Sequence, residues 1–479
     1  MDEIIPVVNL DAHPDNSCKS RGCTAPRSQD DSLNHLPMAV RAKIEDHPCY
    51  SDEAHNYFAR MHVPVASRCN IQCNYCNRKF DCANETRPGV VSKRLKPLEA
   101  VDKVLAVAKE IPELSVVGIA GPGDAFASAK QTMQTITELS RVAPNLKLCV
   151  STNGLMLPEH VDELVAKGVE HVTVTINTLR PEVGAKIYAW IYYDGQRLSG
   201  EKAARILIGR QLEAVSMLTQ QGVLVKVNTV YIPGINDRCI AEVSREIQQR
   251  GAFVHNVMPL ISKPEFGTAF SKAGQREPTA AELDAVREES SGGIQIMKHC
   301  RLCRADAIGR LGQDKRAMFE SAGAPSVAEP RSYDSHSLLR YKQAVTTIRS
   351  RRRALRESVD LSALDSSIVR FYVVATTGDS LINLHFGHAQ EFLVFRVDPY
   401  GCSLHSRLEV EQYCANGHGK EGVLLSLIDK LKGYDGIFVA KIGRKPRLTL
   451  QAAGINIITD YAHQDIEYAL RKHTVELLN

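Results

Sequence analysis

Arg60–Cys82 reads RMHVPVASRCNIQCNYCNRKFDC, in which a strand-like run passes directly into a cysteine-rich loop. The loop carries Cys69, Cys73 and Cys76 in the spacing C-x3-C-x2-C. Three thiolates on a short loop can bind three irons of a four-iron, four-sulfur cubane, so that the fourth iron keeps an open position. Zinc is the competing metal, but closed zinc sites favour paired C-x2-C motifs. We therefore predict an iron–sulfur cluster with an open iron at this loop.

Strand-like and helix-like runs alternate from this stretch as far as about residue 265. The strand-like runs after the loop are SVVGIAG, KLCVSTNG, HVTVTIN, VLVKVNTVYI and AFVHNVMPLI, and runs such as PLEAVDKVLAVAKEI between them are helix-like. Repeated strand–helix units predict a parallel sheet, either doubly wound or closed as a barrel. In both architectures the chemistry lies at the carboxyl ends of the strands. The cysteine loop, GPGD (121–124) and TNG (152–154) fall at such ends.

The composition is typical of a globular chain rather than a disordered or fibrous one. The 479 residues suffice for two or three domains, and the net charge of +4 gives no reason to expect nucleic acid or a membrane surface as partner. We find no apolar run of about 18 residues, and the acidic N-terminus lacks the pattern of a secretory signal. We therefore predict a cytoplasmic protein, in which thirteen cysteines indicate metal or redox chemistry rather than disulfides.

The pattern divides the chain into four segments. We predict an irregular N-terminal arm, an alternating α/β domain, a linker with a basic helix, and a second small α/β domain, at residues 1–45, 46–310, 311–367 and 368–479. The arm carries Cys18 and Cys23, which we interpret as reduced thiols. The basic run KQAVTTIRSRRRALRE is interpreted as a solvated linker helix, with docking of an acidic partner as the alternative.

The cysteine spacing, with Tyr75 before the last cysteine in a βα-repeat domain, resembles the radical S-adenosylmethionine (SAM) superfamily. In that superfamily SAM binds the open iron, and an electron from the cluster cleaves it to methionine and a 5′-deoxyadenosyl radical. The resemblance implies an α/β fold with a partial (β/α)6 TIM-like barrel and a [4Fe-4S] cluster on the three loop cysteines. It also implies SAM contacts from Tyr75 beside the nucleobase, Gly121, Gly123 and Asp124 around the amino group, Thr152, Asn153, Thr175 and Asn177 at the ribose and carboxylate, and Val227 beside the adenine.

Cysteines outside the loop narrow the resemblance from the superfamily to one family within it. They occur in HPC (47–49), FDC (80–82), LCVSTNG (148–154) and KHCRLCRAD (298–306). On chemistry alone, the C-x2-C pair Cys300 and Cys303 can also be half a zinc site or a redox pair, and Cys149 a small core residue. Together with AGPGD, YIPGIND and NVMPLI, these motifs are similar to the NifB family of nitrogenase cofactor biosynthesis proteins over about residues 45–310. The region from 368 onward resembles the NifX-type cofactor-binding domain, expected to have a ribonuclease H-like fold.

This second resemblance implies that two further [4Fe-4S] clusters are substrates, one on Cys49, His62 and Cys82 and the other on Cys149, Cys300 and Cys303. SAM would first donate a methyl group to a cluster sulfide and then form the radical that abstracts hydrogen from it. The product would be an eight-iron core with a central carbide and an extra sulfur, the precursor of the iron–molybdenum cofactor. Asp124 and Glu265 are both chemically possible proton acceptors. The C-terminal domain, with His385, His388 and Cys414, would hold or transfer the product.

The implied partners are cluster donor proteins, a reductant, NifX-type carriers and the NifEN scaffold. Two alternatives stay open. The first is another radical SAM enzyme with auxiliary clusters and a different substrate. The second is a non-enzymatic iron–sulfur or zinc scaffold, which would bind metal without cleaving SAM.

Overall fold

The computed structural model describes residues 36–477, apart from 52, 85, 87, 298, 301–302, 320–332, 363, 378–379 and 416–417. Cys18 and Cys23 lie outside the described residues. The chain forms two compact units, whose main parts are Lys43–Tyr341 and the chain from Lys342 onward. Each unit has its own sheet and its own hydrophobic core.

The strands of the first unit alternate with helices along the chain. The strands are β1 (Ala59–Pro64), β2 (Ile71–Cys73), β3 (Leu114–Ala120), β4 (Lys147–Thr152), β5 (His171–Thr175), β6 (Tyr188–Tyr193), β7 (Gln196–Leu198), β8 (Leu224–Tyr231), β9 (Val254–Pro259), β10 (Gln295–Ile296) and β11 (Ile308–Gly309). The helices up to the unit boundary are α1 (Met38–Ile44), α2 (Pro97–Glu110), α3 (Ala129–Val142), α4 (Val161–Ala166), α5 (Pro181–Ile187), α6 (Gly200–Gln220), α7 (Ile240–Gln249), α8 (Ala269–Lys272), α9 (Ala280–Glu289) and α10 (Ser335–Glu357).

Local sequence signals explain where several helices begin. The Thr279 hydroxyl accepts a hydrogen bond from the Glu282 amide, and the Glu282 carboxylate accepts one from the Thr279 amide, which is a capping box at the start of α9. Pro97 occupies the first position of α2, where a missing N–H costs nothing. Helix α1 lies at the end of the arm that the sequence predicted to be irregular. Among the described helices, none combines the length and the apolar composition needed to cross a membrane.

The main sheet of the first unit confirms the predicted partial (β/α)6 barrel. Its eight strands within the described residues follow the order β10–β9–β8–β5–β4–β3–β1–β11. Neighbours from β1 to β10 pair in parallel, and β11 pairs antiparallel with β1. From β1 to β10 the strand order follows the chain in one direction without the reversal of a doubly wound sheet, so the doubly wound alternative is wrong. Side chains alternate between the barrel interior and an outer core that the helices cover, where Val225 and Val227 are fully buried.

A three-stranded antiparallel sheet, β2–β6–β7, lies against the cysteine loop and was not predicted. Cys73 of β2 is the register partner of Tyr188 in β6. Strands β6 and β7 are joined by Asp194 and Gly195, both at positive φ, 49° and 71°. An Asp-Gly pair with two positive φ angles is the preferred two-residue hairpin turn, so the signal was present in the sequence.

The second unit confirms the predicted small α/β domain. Its strands and helices are β12 (Arg370–Val374), β13 (Glu391–Asp398), β14 (Gly401–Glu409), β15 (Cys414–Ala415), β16 (His418–Gly419), α11 (Glu421–Leu431), β17 (Gly436–Phe438), α12 (Arg444–Ala452), β18 (Ile457–Ile458) and α13 (Ile466–Glu476). The sheet order is β14–β13–β12–β17–β18, with β13 antiparallel to both neighbours and β12, β17 and β18 parallel. This is the strand order of the expected ribonuclease H-like fold.

The basic end of α10 is not solvated on all sides, which corrects the sequence interpretation. Arg356 donates from Nε and Nη2 to the two oxygens of Asp465, both at 2.9 Å. Its Nη1 also lies 3.1 Å from Glu467, and all three side chains are largely buried. Arg351 and Arg353 of the same helix are exposed. A bidentate arginine on a buried carboxylate therefore fixes this helix end within the second unit.

Candidate functional site

The cysteine loop follows β1 and is held by the backbone that follows β3. The Gly123 amide donates to Ala66 O at 3.0 Å, and the Asp124 amide donates to Arg68 O at 2.6 Å. A Cβ atom on Gly123 would lie 1.9 Å from Arg68 O, and one on Gly121 would lie 2.2 Å from Ala66 O. Only glycine permits this approach, so the glycines of GPGD serve first to position the loop.

The three loop thiols lie close enough to affect one another. Cys73 is buried, and Cys69 and Cys76 are partly buried. Burial and the neighbouring thiols of Cys76 and Cys69 raise the pKa of Cys73 well above its usual value. Burial, followed by the charge of Asp124, raises the pKa of Cys69 to about 12. The thiols of this site become thiolates only when bound cations compensate their negative charge, and the irons of an iron–sulfur cluster do so. The loop therefore fits the cluster that the spacing predicted.

Tyr75 is buried beside the loop and belongs to a hydrogen-bonded chain. Its hydroxyl contacts Asn84 Oδ1 and accepts a hydrogen bond from Asn177 Nδ2 at 2.7 Å. Tyr75 lines a small pocket together with apolar residues that include Val230 and Met258.

Val227 is not where the sequence interpretation placed it. It is fully buried in the outer core between the sheet and the helices. The strand period of two directs Val225 and Val227 outward, and it directs Lys226, Asn228 and Val230 to the other face of β8. On β8 the residue that lines the Tyr75 pocket is Val230.

Asp124 connects the ends of β3 and β4 and has both oxygens engaged. Its Oδ2 accepts hydrogen bonds from Thr152 Oγ1 at 2.9 Å and from the Asn153 amide at 2.6 Å. Its Oδ1 accepts from the amides of Phe126 and Ala127. Burial raises the pKa of this carboxyl, and the hydrogen bonds oppose that rise. The carboxylate thus positions Thr152 and Asn153 and offers no free oxygen for a further proton acceptor role.

The other strand-end residues are buried at the same edge of the sheet. Asn153 Nδ2 donates to Asn70 Oδ1 at 2.7 Å and lies 3.9 Å from the Cys69 sulfur. Gln211 Nε2 donates to the carbonyls of Asn153 and Thr175, both at 2.8 Å. The Thr175 hydroxyl is buried and has no hydrogen-bond partner among the residues that the structure describes. Gln211 was not predicted, because it projects from α6 and reaches the strand ends only in the folded barrel.

A second group of predicted ligands meets inside the barrel. The barrel contains a cavity with an empty volume of about 700 Å³, which includes space that is open to solvent. Its lining includes Cys49, His62, Cys149, Cys300 and Cys303. Cys82 does not line it, but its amide donates to Gly121 O at 3.2 Å, one residue beyond the lining residue Ala120. No carboxylate within the described part of the chain lines this cavity, and Glu265 is exposed.

His62 is oriented for metal binding. Its Nδ1 lies 2.9 Å from the carbonyl oxygen of Arg304, and because a carbonyl only accepts, this nitrogen carries the proton. Nε2 then keeps its lone pair, the usual arrangement for a metal-binding imidazole. Burial, followed by the charge of Arg60, lowers the pKa of His62 to about 4. The ring is therefore neutral at physiological pH, and Gly118 leaves room for it, since a Cβ there would lie 2.9 Å from His62 Cδ2.

Three inward-facing residues next to these ligands were missed from the sequence. Arg60 donates to the Cys303 sulfur from Nη2 at 3.1 Å, and Asn256 Nδ2 donates to the Cys300 sulfur at 3.5 Å. Lys226 lines the same cavity. Strand alternation marks all three as inward-facing once the barrel phase is known, but the sequence alone does not say which cysteine each one meets.

In the second unit, His385, His388 and Cys414 come together as a group. The rings of His385 and His388 have centroids 4.9 Å apart. A Cβ on Gly387 would lie 2.5 Å from the Cys414 sulfur, so this sulfur packs against the turn that carries both histidines. Across the described part of the chain, no three histidine, cysteine or carboxylate side chains are placed to hold a single metal ion.

Two family profiles match the chain: residues 63–247 match the Radical SAM superfamily, and residues 370–475 match the family described as Dinitrogenase iron-molybdenum cofactor. FeMo cofactor biosynthesis protein NifB of Rhodobacter capsulatus is 52% identical over 439 residues, which are 91% of this chain and 96% of that protein. NifB of Herbaspirillum seropedicae is 45% identical over 472 residues, 97% of this chain and 89% of that protein. The crystal structure of methylornithine synthase (PylB) matches with 15% identity and a TM-score of 0.35, covering 67% of this chain and 94% of that one.

Proposed function

The chain belongs to the NifB family of FeMo cofactor biosynthesis proteins within the radical SAM superfamily, and from this premise we propose the reaction that it performs. It fuses two [4Fe-4S] substrate clusters into an eight-iron core, with insertion of a SAM-derived carbide and an extra sulfur. The observation that carries the proposal is the cavity. Five of the six proposed ligands of the substrate clusters, which come from distant parts of the sequence, line it together: Cys49, His62, Cys149, Cys300 and Cys303.

Cys69, Cys73 and Cys76 would hold the resident [4Fe-4S] cluster, and the surrounding strand ends would hold SAM. When bound, these two groups supply a methyl group and a 5′-deoxyadenosyl radical. Tyr75 and Val230, which line one small pocket, would lie beside the adenine. Thr175, whose buried hydroxyl has no partner among the described residues, and Asn153 would contact the ribose and carboxylate. Asp124 acts through Thr152 and Asn153, because both of its oxygens are already engaged.

The two substrate clusters would be bound by Cys49, His62 and Cys82, and by Cys149, Cys300 and Cys303. Arg60 and Asn256 orient the second set by donating to the sulfurs of Cys303 and Cys300. His62 supplies a neutral ligand with its proton fixed on Nδ1. A neutral imidazole binds iron more weakly than a thiolate, which would ease release of that cluster during fusion.

The second unit would hold or transfer the product, since its family is described as Dinitrogenase iron-molybdenum cofactor. His385, His388 and Cys414 are the proposed contact group there. The partners that this function requires are cluster donors, a reductant, and the NifX-type and NifEN proteins that receive the product.

The proposal is tested by anaerobic reconstitution with iron and sulfide, followed by SAM and dithionite. S-adenosylhomocysteine and 5′-deoxyadenosine are then quantified in the same sample. Formation of both without an added organic substrate supports methyl transfer and hydrogen abstraction on the protein's own clusters. Formation of deoxyadenosine alone indicates a radical SAM enzyme with another substrate. If neither compound forms, the protein is a scaffold that binds metal without cleaving SAM. Cys69→Ala should abolish both products, whereas Cys239→Ala, a buried cysteine outside both sites, serves as the matched control.

A further inference from the structure

Lys226 lies in the middle of the sheet, with its side chain directed into the barrel. Its register partners are Thr173 of β5 and Val254 of β9, so the strand is paired on both sides. Val225 and Val227 pack in the outer core, which leaves the inner face for Lys226. There it lines the same cavity as the proposed ligands of the substrate clusters.

The cavity around Lys226 is lined by thiols, imidazole rings and neutral polar side chains. Among the residues that the structure describes, no Asp or Glu side chain lines it. Four cysteines line the cavity together with Lys226: Cys49, Cys149, Cys300 and Cys303. The aromatic face of Tyr50 lies 5.9 Å from Nζ. His47 also lines the cavity, and burial keeps its pKa well below the usual value, so it adds no charge.

Arg60, the other cation among the described lining residues, is already engaged. Arg60 donates to the carbonyl oxygens of Gly309 and Arg310 as well as to the Cys303 sulfur. Lys226 instead lines the cavity beside cysteines of both proposed ligand sets, Cys49 in one and three cysteines in the other. Placing an ammonium in a protein interior is costly unless an anion accompanies it. Those lining residues that the structure describes supply such an anion only as thiolates, the form in which they would bind a cluster.

We propose that Lys226 is the counter-cation of the substrate clusters, and that it compensates their negative charge while the cavity holds both of them together. This inference rests on the proposed function. Two reduced, thiolate-bound clusters repel each other, and the repulsion is strong where water is largely excluded. A fixed ammonium that faces both ligand sets offsets part of it. Lys226 is thus a residue that positions substrate, and it takes no part in SAM cleavage.

The test uses the full-length reconstituted protein without SAM. Lys226→Met keeps the length of the side chain and removes the charge, and Lys226→Arg keeps the charge. Lys202→Met, at an exposed position of α6, is the matched control. Two quantities are measured: the rate at which a chelator removes iron from each cluster, and the midpoint potential of each cluster, followed by its electron paramagnetic resonance signal.

In Lys226→Met we expect iron to leave the substrate clusters on the order of tenfold faster, the effect of one unit charge at about 10 Å in a protein interior. Their midpoint potentials should fall, because a nearby cation favours the reduced, more negative state. In Lys226→Met the resident cluster should keep the iron-loss rate and the midpoint potential of the parent protein. In Lys226→Arg and Lys202→Met all clusters should keep both values.

If the parent carries all three cluster signals and Lys226→Met matches it in both quantities, the inference is wrong and the proposed function stands. Equal losses in Lys226→Met and Lys226→Arg assign Lys226 a packing role and also overturn the inference. If the parent carries only the resident cluster, the proposed function fails as well.

Discussion

The cysteine loop and the cavity inside the barrel collect the same kinds of side chain by different means. The loop draws Cys69, Cys73 and Cys76 from eight consecutive residues and is held by backbone contacts with the segment after β3. The cavity draws its ligands from Cys49 to Cys303, and they meet only when the strands have closed into a barrel. The loop site is therefore built from one short segment, whereas the cavity depends on the tertiary structure. This difference predicts that each can be damaged without the other.

The largest effect is expected when one cysteine is removed from each site in turn and the products of SAM cleavage are compared. Cys76→Ala should abolish SAM cleavage, a loss of at least about a thousandfold, because it removes a ligand of the resident cluster. Cys303→Ala should keep deoxyadenosine formation and lose S-adenosylhomocysteine, because only a substrate cluster is affected. Both products are measured by chromatography in the same reaction. Loss of deoxyadenosine in Cys303→Ala to the same degree would show that the two sites are not independent.

The second effect tests how the loop is held. A Cβ on residue 123 would lie 1.9 Å from Arg68 O, so Gly123→Ala forces the loop away from β3. We expect a loss of about 1–3 kcal/mol in the free energy of unfolding and a loss of the resident cluster signal, with the substrate clusters retained.

Gly209→Ala is the matched control for this change. Gly209 lies within α6, and a Cβ there meets nothing within 4 Å. Alanine at this position should stabilise the helix by about 0.5–1 kcal/mol. If Gly123→Ala retained the resident cluster, the close backbone approach would not be what holds the loop.

How far the sequence predicts these two regions follows from the same difference. The spacing of the loop cysteines is visible in the chain. The repeated strand–helix units predict a parallel sheet but leave open whether it is doubly wound or a barrel, and the family resemblance points to the barrel that the structure contains. The hairpin at Asp194 and Gly195 also had its signal, an Asp-Gly turn between strand-like runs, which was overlooked. Arg60 and Cys303 are 243 residues apart in the sequence and meet only in the closed barrel, so no local sequence pattern predicts their contact.

The third effect concerns the barrel wall that builds the cavity. His255 of β9 is buried, with Nδ1 2.7 Å from Ser244 Oγ and Nε2 2.8 Å from Thr229 Oγ1. Burial lowers its pKa to about 3. Between that value and the usual pKa near 6.5, the unfolded state binds more protons, so the free energy of unfolding falls as the pH falls. The share of this one histidine is about 2 kcal/mol between pH 7 and pH 5.

Urea denaturation at the two pH values measures this share. His255→Gln should remove about 2 kcal/mol of the pH dependence, while His336→Gln, an exposed histidine on α10, should leave it unchanged. An unaltered pH dependence in His255→Gln would mean that the imidazole does not stay neutral in the folded wall.

The smallest effect tests the alternation of β8, on which the division into inner and outer faces depends. Val230 lines the Tyr75 pocket and Val227 lies in the outer core. Val230→Ala should weaken SAM binding roughly fivefold to tenfold, the cost of losing two methyl groups from an apolar contact. Val227→Ala should leave SAM affinity unchanged and lower the free energy of unfolding by about 1–3 kcal/mol. Equilibrium binding and denaturation of both variants measure the two quantities. If only Val227→Ala weakened SAM binding, Val227 would lie beside SAM, as the sequence first suggested. That result would contradict the division of β8 into an inner and an outer face.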